Sequence, residues 1–329
     1  MRLLILGGTA FLGQALASQA VQRGTDVTCA ARGSAPVPEG ARLVTVDRDV
    51  DDALATLAGH DWDAIIDLTR QPGHARRAVR DLHAGHWVLI SSGNVYARFD
   101  EPEQREDSAL LEPLADDVMS DMTRYGEAKV ACENAVRSAR DPVGKPASWT
   151  IIRSGLIGGD GDWSGRTGYY PWRFAHPTGA DVLVPADLTF PVALIDVEDL
   201  AAWTLDCAER HTHGVFNATG PTTTLGELLD VSRTVAGSAA IPRPVDATTL
   251  AEAGIGTWMG PASLPLWIDD PQWRWFATLD TTAARAAGLR TRPLAATLAA
   301  ALDFENRREH PRATGLTDVQ EIGLRARLG

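Results

Sequence analysis

The sequence predicts an α/β fold: a doubly wound parallel sheet followed by a smaller C-terminal substrate-binding domain. Three observations predict it. Short apolar runs alternate with helical patterns through residue 153, as strands joined by right-handed crossover helices do. The first run, Leu3 to Leu6, is wholly apolar and so reads as a strand buried on both faces. Beyond residue 153 the alternation gives way to glycine-, proline- and tryptophan-rich stretches without a period.

Each element has its own signal. Gly7 and Gly8 turn the chain after the first strand. Thr9 to Gly24 reads as a helix with Leu12, Leu16 and Ala20 on one stripe and Gly24 as a left-handed cap. Thr25–Ala31, Arg42–Val46, Asp63–Leu68, Trp87–Ser91 and Trp149–Arg153 supply strands two to six. Val50–Leu57 and His74–His83 supply short helices, and Met122–Arg140 a long one with alanines 128, 131 and 135 on a face. Residues 97–120 are acidic, carry Pro102 and Pro113, and read as a loop near the strand ends. The glycine-dense segment Gly155–Gly168 reads as an active-site loop. Val182–Val184 and Val192–Ile195 read as further strands, with Asp199 capping a helix Leu200–Arg210. Helical pieces between loops fill 222–300, and 304–329 reads as a polar, peripheral tail. The expected domains are 1–157, completed by parts of 190–220, and a substrate-binding part from 158–189 and 221–329.

Composition narrows the function classes. The 329 residues carry a formal net charge of -12, which argues against nucleic acid or a membrane surface as partner. Three widely spaced cysteines, Cys29, Cys132 and Cys207, suggest neither a disulfide framework nor a metal site. No apolar run approaches the ~18 residues of a membrane helix, and Met1-Arg2 leads directly into a strand. A soluble cytoplasmic protein, monomeric or homodimeric, is expected, with a small-molecule substrate.

The turn after the first strand has the spacing Gly7-x-x-Ala10-x-x-Gly13. A strand, a glycine turn and a helix N-terminus converge free backbone N–H groups on one spot, where a pyrophosphate would sit. Gly7 permits the turn and Gly13 close helix–strand packing, while Ala10 adds a methyl where the middle glycine of a dinucleotide fingerprint would stand. A glycine turn in some other α/β protein would look similar.

Tyr125 and Lys129 are four apart on a predicted helix, so phenol and ammonium share a face. A cation beside a tyrosine favours the phenolate, which suits proton transfer at an alcohol or ketone. The chain has only two lysines and four tyrosines, so an accidental Tyr-x-x-x-Lys has a probability of about 0.02. The plainer reading is an exposed helix pair. A hydroxyl at the end of the fifth strand would complete the group, and Ser91-Ser92-Gly93-Asn94-Val95-Tyr96 offers it, unless both serines only satisfy turn groups.

With GGTAFLG (7–13), SSGNVY (91–96), YGEAK (125–129), IIRSGLIGG (151–159), LIDVEDLA (194–201) and GVFNATGP (214–221), the chain resembles the short-chain dehydrogenase/reductase superfamily. The resemblance is to its extended or atypical branch, the NAD-dependent epimerase/dehydratase family. It implies a Rossmann-type sheet of order 3-2-1-4-5-6 plus a seventh strand. It implies Ser92, Tyr125 and Lys129 as catalytic residues, with Tyr125 as acid/base and Lys129 also on the nicotinamide ribose. Candidate cofactor-binding residues are Gly7, Thr9, Ala10, Phe11, Leu12, Gly13, Arg32, Asp47, Leu68, Thr69 and Lys129. Asp47 ends the third strand, where the family contacts adenine; it could equally cap its own turn. The chain departs from the family pattern in three places. Ala10 replaces a glycine, Arg153 is followed by Ser154-Gly155, and Phe190-Pro191-Val192 stands where sugar-nucleotide members often carry an arginine. The second strand ends Ala30-Ala31-Arg32 without a carboxylate, so NADP is expected ahead of NAD.

The leading expectation is an NAD(P)-dependent oxidoreductase or epimerase acting on a hydroxyl or carbonyl carbon. A sugar-nucleotide epimerase/dehydratase and a non-catalytic dinucleotide sensor are the alternatives. Trp258, Trp267, Trp273 and Trp275 could line an aromatic or sugar pocket, or pack the smaller domain.

Overall fold

The computed structural model describes residues 1–328. The chain begins with β1 (Arg2–Leu6), α1 (Phe11–Gln22), β2 (Asp26–Ala31), β3 (Arg42–Thr45), β4 (Trp62–Asp67), α2 (Pro72–Asp81) and β5 (Ala84–Ser92). After the long loop come α3 (Tyr125–Arg137), β6 (Ser148–Ser154), β7 (Leu156–Gly158), α4 (Tyr169–Ala175), β8 (Asp181–Pro185), β9 (Pro191–Val192), β10 (Leu194–Asp196), α5 (Val197–Arg210) and β11 (Gly214–Ala218). The remainder is β12 (Thr223–Thr224), α6 (Leu225–Val235), β13 (Ile241–Val245), α7 (Ala247–Glu252), β14 (Gly256–Trp258), β15 (Ser263–Pro265), α8 (Thr282–Ala286), α9 (Leu294–Asn306) and α10 (Asp318–Leu328).

Seven strands form one sheet in the order β11-β6-β5-β4-β1-β2-β3, every neighbouring pair parallel. Alternation along β1 explains its two cores. Leu3 and Ile5 face α1 and α5, among Leu16, Ala17, Leu200 and Ala201. Leu4 and Leu6 face α2 and α3, among Ala75, Ala78, Cys132 and Val136. A sheet covered by helices on both sides needs apolar residues at consecutive positions, which is why the strands read as unbroken apolar runs. A third core lies outside the sheet, where Tyr170, Phe174, Val182, Leu225, Leu228, Leu229, Leu298 and Leu324 meet.

Four local expectations are corrected. Val50–Leu57 is a series of i→i+3 turns ending in a single 3₁₀ turn at Ala55–Leu57, not a helix. The segment opens with Asp47 Oδ1 accepting from Asp49 N at 3.1 Å, the side-chain competition that keeps aspartate out of helix interiors. The long helix is shorter than 122–140: Met122–Arg124 is 3₁₀, started by Asp121 accepting from Thr123 N at 2.8 Å, and α3 proper ends at Arg137. Val192–Ile195 is not one strand, because β9 pairs antiparallel with β12 while β10 pairs parallel with β7. The cap of α5 is Asp196, whose Oδ1 accepts from Glu198 N at 2.9 Å. Asp199 instead receives the Arg292 backbone N–H at 2.7 Å and its guanidinium at 3.0 Å.

The C-terminal segment is not peripheral. Glu305 and Glu321 are buried, and Arg173 reaches from α4 to Glu321 at 3.0 Å and to Asp318 at 2.7 Å. Its charges read as solvent-facing in sequence, but they are folded inward against one another.

Candidate functional site

The site lies at the carboxyl ends of β1, β4 and β5, where the helices of the two faces diverge and a crevice opens. Gly7 has φ 104, the left-handed region the turn requires. A Cβ on Gly13 would run into the Gly7 carbonyl and the Gly8 backbone, so α1 can lie this close to β1 only with glycine there. The N-terminus of α1 has no side-chain cap and no acid in its first turn. Its orphan N–H groups, those of Phe11, Leu12 and Gly13, are therefore free to meet an anion. Ala10 is the N-cap residue, extended at φ -105 and exposed, so its methyl stands clear of the packing. The Leu12 side chain is buried in the core, leaving only its backbone for a ligand. Gly161, in the turns after β7, lies against the Phe11 ring.

Arg32 is exposed just beyond β2, which ends without a carboxylate. Asp47 caps its own turn, as described above. Leu68 lies against Gly7, and Thr69 accepts from Gln71 N at 3.1 Å. These residues fit a dinucleotide: an uncapped helix end for the pyrophosphate, a close glycine approach, and a guanidinium beyond β2.

Lys129 projects from α3 into the sheet and is almost wholly buried. Its ammonium donates to Ile90 O at 2.5 Å and Thr69 O at 2.6 Å, bridging the ends of β5 and β4. With three protons, it keeps one donor. Asp67, at the end of β4, is fully buried beside it. Burial alone would push this carboxyl up, but the Arg48 guanidinium, bonded at 2.8 Å through both nitrogens, the Thr69 N–H and the Lys129 charge hold it below its ordinary value. Arg48 and Asp67 were not singled out in the sequence. The acidic end of a buried strand, Asp67-Leu68-Thr69, was the available signal.

Tyr125 opens α3 and is half-buried against Leu114, Met119 and Ala128. The next residue, Gly126, sits where a Cβ would strike the Asn94 carbonyl, so the first turn of α3 rests on the turn after β5. This brings Tyr125 beside Asn94. Both line a cavity of about 620 Å³, with Tyr96, Leu111, Met122 and Trp273. Ser92 caps the Gly93–Val95 turn: its hydroxyl donates to Asn94 Oδ1 at 2.8 Å and accepts from Asn94 N at 3.2 Å. One lone pair remains for another donor. Ser91 points away, donating to Glu133 Oε1 at 2.7 Å.

Arg153 and Glu133 form a buried fork pair at 3.0 and 2.9 Å beneath this region. Arg153 also meets Tyr96 OH at 3.2 Å, and that hydroxyl donates to Asn217 at 2.6 Å. Arg153 is thus engaged within the protein. The tryptophans divide. Trp267 is buried packing, whereas Trp273 stacks on Phe99 at 5.0 Å and faces the cavity.

Residues 3–86 match the model of the NAD dependent epimerase/dehydratase family. The match runs from β1 into β5, the first half of the sheet and the glycine turn with it. The fold agrees across nearly the whole chain. An epimerase candidate from Burkholderia cenocepacia is 20% identical with a TM-score of 0.69, covering 93% of this chain and 98% of its own. UDP-glucose 4-epimerase of Thermotoga maritima, solved with UDP-glucose, is 16% identical with a TM-score of 0.67, covering 93% and 99%. UDP-glucose 4-epimerase of Thermus thermophilus, solved with NAD, is 17% identical with a TM-score of 0.63, again covering 93% and 99%. No curated protein matches the sequence. Among the described residues, no helix is long and apolar enough to cross a membrane, and no cluster of His, Cys, Asp and Glu could hold a metal.

Proposed function

We propose that the protein is an NAD(P)-dependent oxidoreductase or epimerase of the short-chain dehydrogenase type. One observation carries the reading: Lys129 is anchored across the β4–β5 crevice one helical turn from Tyr125, which itself walls the cavity. The dinucleotide, when bound, supplies or accepts the hydride. Tyr125 gives or takes the proton of the substrate oxygen. Ser92 hydrogen-bonds the same oxygen, its hydroxyl turning from Asn94 Oδ1 to donate to it. Lys129 offers its remaining proton to a ribose hydroxyl. The N–H groups of α1 receive the pyrophosphate, and Leu68 and Thr69 border it. Arg32, unopposed by an acid at the β2 end, supports NADP over NAD, since a guanidinium fork matches a phosphate.

Tyr125→Phe tests the central role. Positioned acid–base catalysis contributes about 10²–10⁴-fold, so kcat should fall by that much with cofactor affinity nearly unchanged. Wild-type turnover in the variant would overturn the assignment. Calorimetry with both dinucleotides tests the preference, which Arg32→Ala should erase. The solved fold neighbours with UDP-glucose and NAD favour a second reading, a sugar-nucleotide epimerase that returns the hydride to its own substrate. That enzyme would interconvert stereoisomers with no net reduced nicotinamide, whereas a dehydrogenase would accumulate it.

A further inference from the structure

One half-buried guanidinium makes no ion pair among the described residues. Arg166 lies in the loop between β7 and α4 and is half-buried. Other buried and half-buried arginines of the same lobe are answered: Arg173 by Glu321, Arg308 and Arg312 by Glu305, Arg325 by Asp181. Among the described residues no carboxylate comes within ion-pair distance of Arg166. Its one side-chain bond runs from Nε to the neutral Ser164 hydroxyl at 3.3 Å. The acid nearest in sequence, Asp162, is spent on the loop itself. It accepts from Ser164 N at 3.0 Å, Ser164 Oγ at 2.6 Å, Thr167 N at 3.1 Å and Thr167 Oγ1 at 2.6 Å. Arg308 clamps the same loop from outside, through Trp163 O at 2.9 Å and Asp162 O at 2.8 Å. The loop is thus rigid, and the forked end of Arg166 is left over.

Two further features aim that fork. The guanidinium carbon stands over the Trp258 ring, 5.3 Å from its centre, a cation–π contact that holds the head group in place. Trp258 holds φ 64, a left-handed conformation costly for a bulky side chain, with its N–H bonded to Trp267 O at 2.8 Å. Burial works against the Arg166 charge, and the groups acting on it in its favour are Asp162 and the Tyr125 phenol. The Trp258 ring meets Phe276 edge-on at 5.0 Å, and Phe276 meets Phe99 and Trp273 at 5.2 and 5.7 Å, so the aromatic cluster that holds Arg166 runs to the wall of the cavity that Tyr125 lines. A partly buried cation without a partner is expensive, and it becomes favourable when a ligand supplies the anion.

We propose that Arg166 is the recognition residue for an anionic group, a carboxylate or a phosphate ester, carried by the substrate whose reacting carbon meets Tyr125. This rests on the reading of Tyr125 as the proton-transfer group. A bidentate bond to such a group orients the substrate and rejects neutral analogues, whose entry would leave the guanidinium desolvated and unanswered.

The test measures the melting temperature of the full chain against malonate and against inorganic phosphate, at constant ionic strength, with and without saturating NADP. Wild-type protein should be stabilised by at least one of the anions, and more so with the dinucleotide present. Arg166→Met should weaken that response by about tenfold or more, the loss of a charge-assisted pair. Without anion it should melt no lower than wild type, because methionine keeps the stem over Trp258 and removes an unanswered charge. Arg166→Gln serves as a second variant should methionine disturb the loop. An undiminished anion response in both variants, or no response in wild type, would overturn the proposal. So would an anion response abolished by NADP, which would assign the guanidinium to the dinucleotide's own phosphates. Dinucleotide affinity is read separately in the same proteins. If it is absent while the Arg166-dependent anion response stands, the oxidoreductase reading falls and the anion site does not.

Discussion

The two lobes of this protein place their buried ion pairs differently. The sheet lobe is an apolar sandwich, β1 giving Leu3 and Ile5 to one core and Leu4 and Leu6 to the other, and its buried pairs, Arg48–Asp67 and Arg153–Glu133, stand at the strand ends beside the site. The outer lobe also has an apolar core, but its seams are riveted by charge. Arg173 sits between Glu321 and Asp318, and Glu305 gathers Arg308 and Arg312. The difference teaches where specificity of shape resides. An apolar sandwich tolerates exchange of one large side chain for another, whereas a buried ion pair fails when either partner is removed.

The sharpest way to break this contrast is Glu321→Ala. It would leave Arg173 buried beside one exposed acid and Arg325 short of a partner, at a cost of about 3–5 kcal/mol. Denaturant unfolding should show that loss, with dinucleotide affinity retained in what remains folded. A matched pair, Leu16→Ala in the sheet lobe and Leu229→Ala in the outer lobe, should each cost about 2–5 kcal/mol. Equal costs for this pair, beside a larger one for Glu321→Ala, would sustain the contrast; a negligible effect of Glu321→Ala would end it.

A pH titration sharpens the comparison from the sheet side. His86, at the amino end of β5, is buried, with Nε2 2.8 Å from Thr150 Oγ1 and its ring stacked on His211 at 5.1 Å. Burial, with the charges of His211 and His213, pushes it down from 6.5 to about 3. The unfolded chain takes up a proton near the ordinary value while the folded chain refuses it. The stability His86 contributes is therefore complete above that value and is lost as pH falls toward 3. His86→Gln should flatten the dependence of melting temperature on pH over that window. The smallest effect is expected from Ala10→Gly. The Ala10 methyl is exposed at the cap, so stability should move by only a few tenths of a kcal/mol.

What the sequence made legible follows the same division. The sheet order and the two faces of β1 could be read because burial on both sides demands unbroken apolar runs. The pairing of Tyr125 with Lys129 could be read because helical spacing alone brings them together. The inward fold of segment 304–329 is not legible in the sequence, because a charge that will be buried against its opposite looks there like a charge bound for water. Asp196 and Asp199 are both good helix starters by type. Only the partner Arg292, nearly a hundred residues away, decides which of them is spent elsewhere. Arg166 and Asn94 escaped notice for a related reason: their meaning lies in what does or does not stand opposite, across loops whose folding no periodicity predicts.

The bridge that Lys129 makes between Thr69 and Ile90 has a consequence for any kinetic study. The ammonium is a fastener across the mouth of the sheet as well as a reagent beside it. Replacing it with a shorter side chain would strand two carbonyls and release Asp67 from one of its cations, so the crevice would widen and lose charge balance together. A rate measured on such a variant would report a distorted vessel along with a missing reagent. Methionine, which fills the channel without donating, isolates the loss of packing. A drop shared by Lys129→Met and Lys129→Ala reports the lost ammonium, fastener and reagent together, and any excess in the alanine protein reports the emptied channel.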